Sequence, residues 1–105
     1  MDLTEPGIRM RCTCGACPVQ YEGTVDGYPA YWRARHNSFG LAIATQPGTD
    51  PVDVSLGFAD GWSEDRAYGT PGDASAGYMA PAMAERLIRE GVAAFRLQWQ
   101  QEGAA

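Results

Sequence analysis

The chain has 105 residues, of which 45% are hydrophobic and 20% are charged, a balance typical of one globular domain and unlike that of disordered or fibrous proteins. Its 13 Asp and Glu and eight Arg give a net charge of −5. Because the chain has no Lys, Schiff-base and P-loop chemistry are excluded, and because it has one His, so are mechanisms that need two imidazoles. No apolar run approaches the ~20 residues that span a bilayer and the first ten residues lack a signal-peptide core, so we expect a cytoplasmic protein without a membrane segment.

The predicted elements begin with a β-hairpin and the strand before it. Apolar residues alternate with Arg and Thr over residues 8–14, which predicts a first strand with Cys12 and Cys14 on its apolar face. A second alternation runs over residues 19–25 and ends at Asp26-Gly27, a dipeptide that tolerates positive φ in a tight turn. The aromatic segment 28–35 follows directly and is predicted to return as the next strand.

Two further alternations, over residues 39–43 and 52–58, are predicted to add strands to this meander. The polar turn at residues 36–38 precedes the first, and a loop rich in Pro and Gly at residues 46–51 precedes the second. We therefore expect four or five antiparallel strands, all within about residues 8–58.

The last third of the chain is predicted to contain a loop and a helix. Residues of about 59–78 are rich in Gly and acidic side chains and show no sustained period, which predicts a long loop and a candidate contact surface. From about residue 80 to residue 101 apolar side chains recur with a period near 3.6, and Pro81 suits the first turn of the resulting helix. The predicted fold is thus α+β, a four- to five-stranded antiparallel β-meander packed on one C-terminal α-helix, with residues 1–105 as a single domain.

Three cysteines with the spacing C-x-C-x-x-C, at Cys12, Cys14 and Cys17, form the pattern most like a chemical site. Such thiolates can bind Zn²⁺, with His36 as a fourth ligand, or can act in redox chemistry. The pattern is incomplete, because there is no second C-x-x-C pair and a Pro and a strand follow where a reactive thiol needs a helix N-terminus. Free Cys often serves as a small buried hydrophobe. We therefore expect no metal and no cofactor, with a zinc- or thiol-dependent protein as an alternative.

No residue pattern indicates a catalytic centre. The serines lack a G-x-S-x-G context, and the acidic residues of the long loop have neither calcium-binding spacing nor an assignable acid–base role. We therefore expect that the protein is not an enzyme.

A stripe of cationic and aromatic side chains on the returning hairpin strand is the predicted partner-binding surface. Tyr31, Arg33 and Arg35 alternate onto one face, and Arg and Tyr are frequent anchors of protein interfaces. Such stripes also bind nucleic acids, but two or three Arg on an acidic protein make a small electrostatic footprint, so we expect no direct nucleic-acid contact. Simple pairing with Glu22 across the hairpin is the structural alternative.

The long loop is predicted to extend this surface with Trp62, Glu64, Asp65 and Tyr68. Exposed aromatic side chains flanked by acids suit a basic groove, although a loop Trp also often folds back onto the core. By contrast, Trp32 and Trp99 lie on apolar faces and are expected to be buried. Substitution of the loop residues is accordingly expected to leave stability nearly unchanged.

The stretch CPVQYEGTVDG from Cys17 to Gly27, followed by YWRAR from Tyr31 to Arg35, resembles a segment of small accessory proteins encoded by phages and prophages of high-GC bacteria. The stretch contains no catalytic motif, and the resemblance assigns no site residues. It implies a stoichiometric inhibitor of a host defence complex, with anti-CRISPR proteins as the best-known class. The leading hypothesis is therefore a non-enzymatic binding protein of the host bacterial cytosol whose protein partner is a nucleic-acid-binding host complex. Antitoxin or immunity proteins and virion assembly proteins stay open as alternatives, and the sequence does not predict an oligomeric state.

Overall fold

The computed structural model describes residues 2–16, 18–69 and 75–103, with side chains up to residue 99. It contains six strands, which are β1 (Asp2–Glu5), β2 (Ile8–Gly15), β3 (Val19–Val25), β4 (Tyr28–Arg35), β5 (Ser38–Ile43) and β6 (Trp62–Ala67). A short helix, α1 (Pro51–Ser55), lies between β5 and β6, and a 3₁₀ turn (Ser75–Tyr78) precedes the long helix α2 (Pro81–Gly103). Each strand pairs antiparallel with the next, so the order in the sheet is the order in the chain. The α+β class and the antiparallel meander with its C-terminal helix are confirmed, with six strands in place of four or five.

Helix α2 covers one face of the sheet, which we call the helix face. The apolar half of each strand and the apolar stripe of α2 form one buried cluster, whose largest fully buried side chains are Met10, Tyr21, Val25, Trp32, Ile43, Ile88, Val92 and Phe95. The helix approaches closely because residue 91 is Gly: a Cβ at Gly91 would lie 3.0 Å from Cδ2 of Leu41. The expected burial of Trp32 is confirmed, whereas Trp99 is 37% exposed and rests its ring on Tyr28 and Phe95.

Two turns at one end of the sheet are joined to α2 by a single arginine. Arg96 donates two hydrogen bonds to the Asp26 carboxylate, at 2.8 and 2.9 Å, and one to the carbonyl of Pro6 at 3.2 Å. The backbone N–H of Asp26 also donates to the carbonyl of Gly7. Asp26 and Gly27 both have positive φ, of 51° and 85°, as the predicted hairpin turn requires. Arg96 therefore fixes the β1–β2 and β3–β4 turns against the helix.

The strand predicted over residues 52–58 is wrong, because this segment begins with helix α1. The side chain of Asp50 accepts a hydrogen bond from the N–H of Val52 at 2.9 Å, and the Pro that follows Asp50 suits the first helical position. These capping interactions outweigh the alternation of apolar residues, of which only Val54 is buried.

The long loop predicted at about 59–78 is also wrong in part, because it contains β6 and the 3₁₀ turn. Strand β6 is an edge strand in which only Trp62 is buried, so its side chains lack the alternation by which a half-buried strand is recognised. Residues 70–74 of the predicted loop lie outside the described residues. Strand β1 was missed because it has only four residues. The helix predicted at about 80–101 extends from Pro81 to Gly103. Neither helix in the described part of the chain has the length and apolar character needed to cross a membrane.

Asp26→Asn is expected to destabilise the protein near pH 7 by about 1 kcal/mol, the upper range for an exposed ion pair, and to have no effect in strong acid. Hydrogen bonding to Arg96 lowers the pKa of Asp26. The stabilisation is therefore complete above the unfolded pKa of about 3.9 and is lost as the pH falls through the lower folded value. Asn tolerates positive φ, so the turn is retained.

Urea unfolding of the unsubstituted protein and of Asp26→Asn, from about pH 7 to about pH 2.5, measures the difference in their free energies of unfolding. Asp60→Asn is the control, because Asp60 is an exposed carboxylate with no ion pair to any described residue. A destabilisation by Asp26→Asn that persisted unchanged at the lowest pH would contradict the assignment.

Candidate functional site

The face of the sheet opposite α2, which we call the open face, carries the polar half of the strands. Directly paired residues lie on the same face, so the register places Arg33 in one row with Gln20, Gly40 and Asp65. The neighbouring row contains Arg11, Glu22, Tyr31 and Ala42. Seven charged residues of the strands lie on the open face, and they are Asp2, Arg9, Arg11, Glu22, Arg33, Arg35 and Asp65.

A shallow depression of about 90 Å³ on this face brings together three of the predicted site residues, Arg33, Arg35 and Asp65. His36 lies beside them at the β4–β5 turn, and Ser55 at the end of α1 closes one side. The absence of a side chain at position 40 makes this arrangement possible. A Cβ at Gly40 would lie 2.1 Å from Oδ1 of Asp65, so the carboxylate occupies space above β5 that any other residue would fill.

The eight arginines divide into two groups of four with different surroundings. Those on the helix side each form an ion pair, and the pairs are Arg66–Glu64, Arg86–Glu90, Arg89–Glu5 and Arg96–Asp26. The four on the open face are Arg9, Arg11, Arg33 and Arg35, and no described residue forms an ion pair or a side-chain hydrogen bond with any of them. The structural alternative, neutralisation of Arg33 and Arg35 by Glu22, is therefore wrong: the register puts Glu22 opposite Tyr31 and Arg11.

The prediction that Trp62 is an exposed loop residue is wrong. Trp62 begins β6 on the helix face and is only 9% exposed. Its Nε1 donates a hydrogen bond to Oε1 of Gln98 at 2.6 Å, and its ring centroid lies 5.5 Å from that of Phe95. Glu64 lies on the same face and pairs with Arg66. Neither Trp62 nor Glu64 therefore shares a surface with the open-face arginines.

The two predicted tyrosines are also less available than expected. Tyr31 lies on the open face but is only 7% exposed, and its hydroxyl accepts a hydrogen bond from Nε2 of Gln20 at 2.9 Å. Tyr68 is half-buried against the ring of Phe39, and its N–H donates to the carbonyl of Asn37. Arg33, Arg35 and Asp65 thus remain as the part of the predicted surface that the fold brings together in an accessible place.

Arg9 and Arg11 are open-face residues that the sequence reasoning did not assign to the site. They line a broader groove of about 290 Å³ with Thr4 and Glu22. Both residues flank Met10, which is buried on the helix face, and neighbouring strand residues point to opposite faces. This alternation could have placed Arg9 and Arg11 on the open face from the sequence.

The cysteines are not assembled into a metal site within the described residues. An irregularity in β2 pairs Cys12 with Tyr21 on the helix face and Cys14 with Gln20 on the open face, so the expectation that both thiols share one apolar face is wrong. Cys12 packs against the core as a small hydrophobe, whereas Cys17 lies outside the described residues. Among the side chains that the structure describes, no group of three His, Cys, Asp or Glu residues is arranged to hold a metal ion.

The groups with displaced pKa values belong to contacts that hold the fold together. Burial, and then the carboxylate of Glu85, raise the pKa of Tyr21 to about 12, and the Tyr21 hydroxyl donates to Oε2 of Glu85 at 3.4 Å. The hydrogen bonds with Asp26 raise the pKa of Arg96. These shifts have structural causes, and they do not mark a reactive group on the open face.

Comparison with protein-family models, with curated proteins and with solved structures gives no match for this chain. The candidate site therefore rests on three geometric features. These are the four arginines that have no ion-pair partner among the described residues, the carboxylate of Asp65 held over Gly40, and the depression that Arg33, Arg35 and Asp65 line.

Trp62→Ala is expected to destabilise the protein by about 3–5 kcal/mol, because it removes a buried aromatic ring and leaves Gln98 without its donor. Trp62→Phe keeps an aromatic ring beside Phe95 but loses the hydrogen bond and part of the buried indole surface, so we expect an intermediate cost of about 1–3 kcal/mol. Urea unfolding measures both changes. The control is Phe58→Ala, which truncates an aromatic side chain that is almost fully exposed and is expected to change stability by less than about 0.5 kcal/mol. Equal effects of Trp62→Ala and Phe58→Ala would contradict the position of Trp62.

Proposed function

We propose that this chain is a non-enzymatic protein that binds a protein partner through the open face, with Arg33 and Arg35 as its main charged contacts. The observation that carries the proposal is the division of the arginines: those on the helix side are paired within the chain, and those on the open face have no partner among the described residues. Asp65 adds a hydrogen-bond acceptor between the donors.

The unpaired state of these arginines is not explained by a shortage of carboxylates. The chain has 13 Asp and Glu residues, and every arginine that contributes to holding the helix side together has one of them as a partner. A guanidinium offers five donors in a planar fork that fits a carboxylate, which is why Arg is enriched at protein interfaces. Arg33 is half-buried and emerges from a strand, so less side-chain freedom is lost on binding than on a flexible loop.

A protein fits this surface better than a nucleic acid does. Four arginines and three carboxylates share the open face, and the chain as a whole has a net charge of −5. Affinity for a phosphate backbone depends on many cationic contacts without nearby repulsion, whereas a protein interface needs only a few well-placed pairs. The expected partner therefore presents carboxylates opposite the arginines and a donor opposite Asp65.

A more specific hypothesis is that this protein is an anti-CRISPR-type inhibitor of a nucleic-acid-binding host complex. This hypothesis depends on the sequence resemblance and on the negative net charge. From the sequence, its expected contacts are exposed aromatic side chains next to acidic ones. With Trp62 buried and Tyr31 nearly so, the proposed contacts become Arg33, Arg35 and Asp65.

Arg33→Gln combined with Arg35→Gln is expected to weaken capture of the partner from a lysate of the source cells at least about tenfold, because both charged contacts are lost. The matched control is Arg66→Gln combined with Arg86→Gln, which changes the net charge equally on the helix side and should leave capture unchanged. Thermal unfolding of both variants verifies that they remain folded.

The retained material is quantified by mass spectrometry at physiological salt. Equal loss of capture in both variants, or retention of nucleic acid in place of protein, would overturn the proposal. Retention of nothing by the unsubstituted chain would do so as well.

A further inference from the structure

The segment that follows α1 exposes two large apolar side chains that the fold does not use. Leu56 is 53% exposed and Phe58 is 80% exposed. No aromatic ring in the described part of the chain contacts Phe58. Exposed apolar side chains that lie close together on a small protein often mark an interaction site.

This segment is held in one backbone conformation by hydrogen bonds to α1. Gly57 has a φ of 81° and donates to the carbonyl of Val54 at 3.1 Å, while the N–H of Phe58 donates to the carbonyl of Asp53 at 2.8 Å. These two bonds form the Schellman motif that ends many helices. The side chain in the place of Phe58 often packs back onto the helix at one of the positions that Val52 and Asp53 occupy here. Phe58 is nevertheless 80% exposed, so its side chain extends into solvent from a fixed backbone.

The same segment adjoins the arginine depression. Val54 is buried against Ala42 and Ala44, and Ala42 shares a row of the open face with Tyr31, so α1 lies on that face. Ser55, the last residue of α1, lines the depression together with Arg33 and Arg35. Leu56 follows Ser55 directly, so the exposed apolar segment begins next to a residue that lines the depression.

We infer that Leu56 and Phe58 are the apolar anchor of the binding surface: they insert into an apolar pocket of the protein partner whose rim carries the carboxylates that meet Arg33 and Arg35. The inference rests on the proposed function and names the chemistry of its partner. Binding energy concentrates in aromatic side chains that fill pockets surrounded by polar contacts. A backbone already fixed by the Schellman motif reduces the entropy that is lost when Phe58 is immobilised.

The occupant is a different protein and not a second copy of this chain. A self-complementary contact through this face would need carboxylates opposite the arginine depression. Strand β6 does present Asp65 there, but the depression already contains that carboxylate at its own rim. The depression contains two arginines and one carboxylate, so two copies that met through it would place two net positive surfaces against each other.

The test replaces Phe58 with the photo-reactive residue p-benzoylphenylalanine in the full chain, adds the chain to a lysate of the source cells, and maps the cross-linked peptide by mass spectrometry. We expect one dominant cross-linked protein, with the adduct on an apolar side chain that has Asp or Glu within a few residues. The control places the same residue at Leu97, which is also exposed but lies on α2. In parallel, Phe58→Ser is expected to reduce capture at least tenfold, and Leu97→Ser is expected to leave it unchanged.

The outcomes separate this inference from the proposed function. If Arg33→Gln with Arg35→Gln abolishes capture while Phe58→Ser does not, the proposed function stands and the anchor is wrong. Equal cross-linking yields at positions 58 and 97, an adduct with a second copy of the chain, or an adduct on a surface without carboxylates would each overturn the inference. If Phe58→Ser abolishes capture while the arginine variant does not, the proposed arginine contacts and the carboxylate rim are both wrong.

Discussion

The contact between the apolar stripe of α2 and one face of the meander is the constraint on which the rest of the structure depends. One helix covers one face, so the apolar half of each strand is buried beneath it and the polar half faces outward. Each large side chain in this cluster contributes roughly 1.5–3 kcal/mol on burial. The alternation that builds the core therefore also builds the open face, and the arginines there are a direct consequence of the same period of two.

The charged side chains on the two faces have different surroundings. On the helix side, charges are used to position elements: Arg96 joins two turns to α2, and Arg89 joins the helix to Glu5. On the open face, by contrast, α1 covers only part of the sheet and ends beside the unpaired arginines. The exposed side chains on that face can therefore be exchanged with little effect on the core, which is the condition under which a surface can change without loss of the fold.

Local chemistry explains which predictions were confirmed. The hairpin at Asp26-Gly27 was predictable because its positive φ values are a property of those two residues, and α2 was predictable because its apolar period persists over many turns. The same alternation placed Arg33 and Arg35 on the open face. Residues 52–58 were mispredicted because the cap formed by Asp50 competes with a weak alternation, and the local hydrogen bonds of the cap prevail.

The surroundings of Trp62 and Asp65 could not be predicted, because they depend on distant residues. Trp62 is buried because Phe95 and Gln98 of α2 pack against it. Trp62 and Gln98 are 36 positions apart in the sequence. Asp65 reaches the depression only because the register of β6 sets it opposite Gly40. Neither fact follows from a local pattern, since strand pairing and helix docking decide both.

The sequence separation of the contacts that α2 makes also determines when this protein can fold. Its polar contacts with the sheet and its turns join residues that are 36 to 90 positions apart, from Trp62–Gln98 to the Arg96–Pro6 carbonyl bond. A ribosome that has made all six strands has therefore made a sheet whose helix face is still uncovered, with Trp32 and its neighbours in contact with water. Contacts of such long separation slow folding, and an uncovered apolar face is prone to aggregation in the interval. Docking of α2 ends that interval, so the time for which the helix face stays uncovered is expected to depend on how soon α2 is made and packs against the sheet.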